Sequence, residues 1–121
     1  MPGRSVLRFA TTDVGIRLSR VGWTQDVPGI RAREADIEGH RWAIVEYAPA
    51  ARREEWCLDG HAGLVLTGQV EYEFEDGGPS LAVVEGDAFA LSTGRAHRGA
   101  NRADGITRLF VIDDPSGPPT A

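Results

Sequence analysis

The sequence predicts an all-β fold, and three observations carry that prediction. Apolar and polar residues alternate in short runs, strong turn signals separate the runs, and no stretch keeps a helical period for a useful length. Fifteen glycines and seven prolines spread along the 121 residues supply the turns. A chain of this length is one domain, large enough for a single core and too short for two. That domain is expected over residues 1–114. Residues 115–121, PSGPPTA, are rich in proline and small residues and are expected to form a flexible tail.

The elements follow in order. Ser5 to Phe9 and Gly15 to Val21 each alternate enough to be strands, and Val27-Pro28-Gly29 reads as a turn. This irregular N-terminal third is expected either to pack on the barrel or to pair with a second subunit. His40 to Tyr47 places Trp42, Ile44 and Glu46 on one face and Ala43, Val45 and Tyr47 on the other, and Pro49 ends the run. Gln69 to Glu75 sets Val70, Tyr72 and Phe74 against Glu71, Glu73 and Glu75, and Asp76-Gly77-Gly78-Pro79 is the turn after it. Leu81 to Val84, Asp87 to Leu91 and Thr107 to Asp113 complete the strands. His40 has no partner in any motif and reads as a surface or edge residue.

Composition excludes several functions. The net charge of -5, with thirteen arginines dispersed among eighteen acids, lacks the basic surface that nucleic-acid binding needs. The chain has no lysine, so no lysine Schiff base forms. No apolar run approaches a membrane span, and the first fifteen residues lack the apolar core of a signal peptide. A single cysteine, Cys57, makes no internal disulfide, which fits a reducing, cytoplasmic setting. Phosphate-loop and Gly-x-Ser-x-Gly signatures are absent.

Two phrases carry the chemistry. The second, Gly86 to Asn101 (GDAFALSTGRAHRGAN), is a glycine, a short strand, a turn at Ser92-Thr93-Gly94, then His97 and Asn101 at fixed offsets. It resembles the second signature phrase of the cupin superfamily, with Ser92 where the family usually has proline. The first phrase ends in Gly68 of LVLTGQVEY, which resembles the cupin strand-turn-strand. Counting back from Gly68 puts His61 at the family's glutamate, and Cys57 and Glu55 at its two histidines. The segment around Trp56, Cys57, Gly60 and His61 also resembles a branch of single-domain cupins whose first phrase is an acid-His-Trp-Cys run followed by Gly-His, Glu55 replacing the histidine. The likeness covers residues 40 to 113. It implies a small antiparallel double-stranded β-helix, the jelly-roll barrel, with its site inside.

Glu55, Cys57, His61 and His97 are thus the candidate metal ligands. Residues i and i+2 of a strand share a face, so Glu55 and Cys57 both look inward, and a turn at Leu58-Asp59-Gly60 returns the chain to present His61. A thiolate with imidazoles favours Zn, Fe, Ni or Cu over Mg or Ca. A register shifted by one residue puts Glu54 and Trp56 at the histidine positions and leaves at most three donors, since tryptophan does not ligate. Trp56 and Phe89 are expected to line a substrate pocket. Without metal, His61 and His97 would serve as general base and acid, and Cys57 paired with either histidine is a third arrangement.

Two function classes stay open. One is a small cupin enzyme, metal-dependent or acid–base, of dioxygenase, isomerase, epimerase or lyase type, acting on a small organic molecule. The other is a non-catalytic sensor or carrier barrel that binds a small ligand. A homodimer is expected, because a barrel of this size leaves edge strands that must be paired or covered.

Overall fold

Alternation in the sequence becomes two antiparallel sheets that share one core. The structure, a computed structural model, describes residues 10–114. The strands are β1 (Thr24–Val27), β2 (Ile30–Ile37), β3 (His40–Tyr47), β4 (Gly60–Thr67), β5 (Gln69–Phe74), β6 (Leu81–Val84), β7 (Ala88–Leu91), β8 (His97–Asn101) and β9 (Thr107–Asp114). One sheet runs β1-β2-β3-β9-β4-β7 and the other β6-β5-β8. Ala43, Val45 and Tyr47 of β3, Leu109 and Val111 of β9, Val65 of β4 and Leu91 of β7 meet Val70, Tyr72 and Val83 of the smaller sheet. This is the jelly-roll that the sequence predicts, and of the two faces of β3 it is Ala43, Val45 and Tyr47 that turn inward.

The N-terminal third is where structure and expectation part. Gly15 to Val21 is not a strand: Leu18–Arg20 forms a single turn of 3-10 helix. The next segment pairs instead, since β1 and β2 form a hairpin that adds two strands to the chain's own large sheet. Part of this region therefore packs on the barrel. The expected strand Ser5 to Phe9 and the expected tail 115–121 lie outside the described residues. No helix among the described residues is long and apolar enough to cross a membrane.

Two of the phrase glycines show the backbone reason for the type. Gly68 joins β4 to β5 at φ +88°, and a Cβ there would lie 2.3 Å from Thr107 Oγ1. Gly94 adopts φ +92°, and its N–H donates to the Leu58 carbonyl at 2.8 Å. That bond ties the turn before His97 to the loop after Cys57. Only glycine adopts such φ values without strain.

Asn101 closes the opposite end. The two hydrogens of its amide are shared among the carbonyls of Tyr47, Ala48 and Gly105, at 3.1, 2.9 and 2.8 Å from Nδ2, and its Oδ1 accepts from Ala103 N–H and the Thr107 hydroxyl. Its place in the second phrase is structural. Asn101→Ala leaves several of these groups without a partner and is expected to cost about 3 kcal/mol, at roughly 1–3 kcal/mol for each buried orphan. A urea melt reads this directly, and a loss under 1 kcal/mol would refute the assignment.

Candidate metal centre

Three side chains converge where the two sheets meet. His97 opens β8, His61 is the second residue of β4, and Cys57 lies in the segment that precedes β4. Cys57 and His97 form an isolated antiparallel bridge, Cys57 N–H donating to His97 O at 2.8 Å and His97 N–H to Cys57 O at 3.0 Å. The backbone thus fixes Cys57 beside His97 without a continuous strand. The ligating atoms of Cys57, His61 and His97 all lie within 4.8 Å of one another. The two imidazoles meet edge to face with centroids 4.8 Å apart.

Each imidazole has Nδ1 already committed. His61 Nδ1 lies 2.8 Å from Asp113 Oδ1, and Asp113 accepts a second bond from Arg41 Nη1 at 2.9 Å. Arg41 in turn donates to Glu34 at 2.7 Å. His97 Nδ1 lies 3.2 Å from the Arg95 carbonyl, which selects the Nδ1–H tautomer and leaves Nε2 as a lone-pair donor. That Nε2 is buried and has no hydrogen-bond partner within the protein. A buried nitrogen in this state costs free energy unless something accepts its lone pair. Asp113 on His61 and a backbone carbonyl on His97 are the partners that orient metal-binding imidazoles.

The electrostatics agree. The His61 ring and then the His97 ring, whose nitrogens lie close to the sulfur, pull the Cys57 thiol down to about 6, against the opposing effect of burial. Burial disfavours the His61 imidazolium but is outweighed by the bonds to Asp113 and Cys57, which raise it to about 9. Burial likewise opposes the Asp113 carboxylate, and His61 with Arg41 overcomes it and lowers its pKa. At neutral pH the metal-free site holds a thiolate, an imidazolium and a carboxylate in line. The donor set of sulfur and imidazole nitrogen suits a borderline or soft divalent cation.

The other expected site residues are placed differently. Glu55 is exposed and lies outside the three-residue group. Arg52 and Cys57 pair with β8 only through isolated bridges, so the segment between them does not hold the strict alternation that would turn Glu55 inward. Trp56 is half-buried with the Arg98 guanidinium 4.0 Å above its ring, and Arg98 also bonds Glu73 and the Glu54 carbonyl. In β8, Arg98 alternates with the buried His97 and Gly99, so Trp56 sits on the outer side of that strand. Phe89 is a core residue whose ring lies 5.2 Å from that of Tyr72, and Tyr72 meets His97 edge-on at 5.9 Å.

Asp113 and Arg41 are the site residues the sequence reading missed. The signal was present: Thr107, Leu109, Val111 and Asp113 share one parity of β9, and an acid on an otherwise core-facing row needs a partner.

No family model and no curated protein matches this chain. Solved structures do. The cupin domain of Schizosaccharomyces pombe Cnp3 aligns over 84% of this chain and 73% of its own, with TM-score 0.68 and 16% identity. A sugar phosphate isomerase of the cupin superfamily from Silicibacter pomeroyi aligns over 84% and 76%, with TM-score 0.67 and 15% identity. KdgF from Halomonas aligns over 80% and 91%, with TM-score 0.64 and 19% identity. The fold is that of a small cupin.

Proposed function

We propose that this protein acts on a small organic molecule at a divalent transition metal held by Cys57, His61 and His97. The observation that carries the reading is convergence: three donors meet inside the barrel, both imidazoles have Nδ1 occupied, and the buried Nε2 of His97 is left to face the cluster. When bound, the metal would supply Lewis acidity with a coordination position open to substrate. The protein's own contributions are separable from it. Cys57 offers a thiolate, Asp113 and Arg41 hold the His61 ring, and Tyr72 packs against His97 with Phe89 behind it. Dioxygenase, isomerase or lyase chemistry is the proposed range, supported by fold neighbours that include a sugar phosphate isomerase and an oxalate oxidase. A reducing, cytoplasmic compartment would keep Cys57 available as a thiol.

Metal content by mass spectrometry on protein purified without chelators tests the proposal, with His97→Ala as control. About one Zn, Fe, Ni or Cu per chain, absent from the variant, is the expected result. No metal, with none taken up on adding Fe²⁺, Zn²⁺ or Ni²⁺, would overturn it.

The line from Asp113 through His61 to Cys57 supports a second, metal-free reading. There the thiolate would act as base or nucleophile and the His61 imidazolium as acid, or the barrel would only hold a ligand. Thermal-shift screening against small acids, sugars and phenolics separates the classes: a stabilising ligand returned unchanged identifies a binding module.

A further inference from the structure

The segment between β3 and β4 carries an arginine into the barrel beside two tyrosines. Arg52 bridges Ala100, which alternates with the buried Gly99 and Asn101 and so lies on the outer side of β8. Adjacent residues of an extended segment point to opposite faces. Arg52 therefore reaches toward Glu73 outside, and Arg53 turns inward. The Arg53 N–H donates to the Gly99 carbonyl at 3.0 Å, which pins the segment at this point. Its guanidinium donates from Nε to the Tyr47 hydroxyl at 3.3 Å, and Nη1 lies 2.9 Å from Asp26 Oδ2. Nη2 makes no hydrogen bond or ion pair with the described residues.

Gly99 shows where this group lies relative to the three donors. A Cβ on Gly99 would meet the Tyr47 hydroxyl and the Tyr72 ring, each at 2.9 Å, so both phenols crowd this inward position of β8. His97 is the inward position before it, about 6.6 Å away along the strand. Tyr72 spans the two, since its ring also meets that of His97 at 5.9 Å. Burial raises the Tyr72 phenol, and Tyr47, Arg53, Asp113 and Cys57 follow as the ionisable groups near enough to act on it. The Arg53 guanidinium and the Cys57–His61–His97 group thus share one interior, at a separation that a small organic molecule bridges. Arg41, behind His61, is already committed to Asp113 and Glu34.

Asp26 is a loose partner for so shielded a cation. It is the extra residue of a β-bulge in the edge strand β1, between Gln25, paired with Arg31, and Val27, paired with Ile30. Bulges re-aim side chains, and this one aims the carboxylate at Arg53. The Asp26 side chain is 43% exposed against 25% for Arg53. An ion pair that open to water on the acid's side contributes little, so a second carboxylate can take the acid's place. We infer that Arg53 binds the carboxylate of the substrate in exchange for Asp26, which makes that substrate a small organic acid. The inference rests on the reading of Cys57, His61 and His97 as the reactive centre. A guanidinium gives a carboxylate two parallel N–H bonds. With Nε held by Tyr47, the Nη1–Nη2 edge is the one presented once Asp26 yields. The remainder of the acid then extends along β8 toward His97 and Cys57.

Isothermal titration of the full chain, metal-loaded and metal-free, with lactate, pyruvate, succinate and benzoate, each against its uncharged amide, tests this. At least one acid should bind at least tenfold more tightly than its amide. Arg53→Gln should remove that preference and Arg53→Lys should keep part of it, while Asp26→Asn should tighten acid binding several-fold by removing the competing carboxylate. Circular dichroism and metal content of each variant are compared with those of the native chain. A purely structural ion pair gives no gain in Asp26→Asn, so unchanged or weaker acid binding there overturns the inference, and this arm decides even where Arg53→Gln does not fold. Amides that bind as well as the acids, a preference that survives in folded Arg53→Gln, or no acid bound in either form also overturns it. A chain that holds metal but binds no acid leaves the metal centre standing and removes this inference alone. A chain that takes up no metal yet binds an acid through Arg53 does the reverse.

Discussion

Replacing His97 with alanine is expected to reduce metal affinity by well over 100-fold while changing the stability of the metal-free protein by only about 1 kcal/mol. The first figure exceeds the 10–100-fold typical of losing a partner behind a ligand, because a ligand itself is removed. The second is a balance. His97 is 2% exposed, so its truncation leaves a cavity that costs about 2 kcal/mol. The same substitution deletes a buried Nε2 that has no partner, relieving a penalty of about 1–3 kcal/mol. Metal retention by mass spectrometry and urea melts of chelator-treated protein read the two effects separately. A large loss of metal-free stability, above about 3 kcal/mol, would show that His97 is a structural residue.

Metal affinity is expected to rise about tenfold per pH unit between about pH 6.5 and 9. The sign follows from the groups at the site. Across this window Cys57, lowered to about 6, is already a thiolate, whereas His61, raised to about 9, still carries a proton on the nitrogen the metal needs. Binding therefore displaces one proton, and raising the pH favours the bound form. Below about 6 Cys57 must also lose its proton, and the slope steepens. In Asp113→Asn the largest influence that raises His61 is gone, so the slope above pH 7 should flatten. Isothermal titration with Zn²⁺ in buffers of different ionisation enthalpy measures the proton count. A pH-independent affinity from 7 to 9 in the native chain would contradict the charge assignment.

The parts of the fold legible in sequence are those where alternation coincides with one buried face. β3 and β5 read correctly because Ala43-Val45-Tyr47 and Val70-Tyr72 lie on faces that are apolar along the strand. β2 did not. Its inner row begins with Ile30 and Ala32 but continues to Glu34 and Asp36, while Arg33 on the outer row stacks over Trp23 and donates to the Ser19 carbonyl. Charges on both faces erase a period-2 signal that tertiary contacts later make acceptable. Gly15 to Val21 showed the converse: alternation without an edge to pair with, since β1 already occupies the free side of β2.

At the site, Cys57, His61 and His97 were found by counting positions within two phrases, and the structure brings these three together. Glu55 comes from the same count, but its inward aim rests on an unbroken strand, which the isolated bridges at Arg52 and Cys57 do not provide. Asp113 shows in sequence only as an acid on the apolar row of β9, and it is the pairing of β9 with β3 and β4 that sets it between Arg41 and His61.

A cobalt titration tests the central claim most directly. Added to metal-free protein at pH 8, Co²⁺ should produce a sulfur-to-metal charge-transfer band that saturates at one ion per chain. The band should vanish in Cys57→Ser and weaken strongly in His61→Ala and His97→Ala. Absence of the band in the native chain, or its persistence in Cys57→Ser, would contradict a metal centre built on Cys57, His61 and His97.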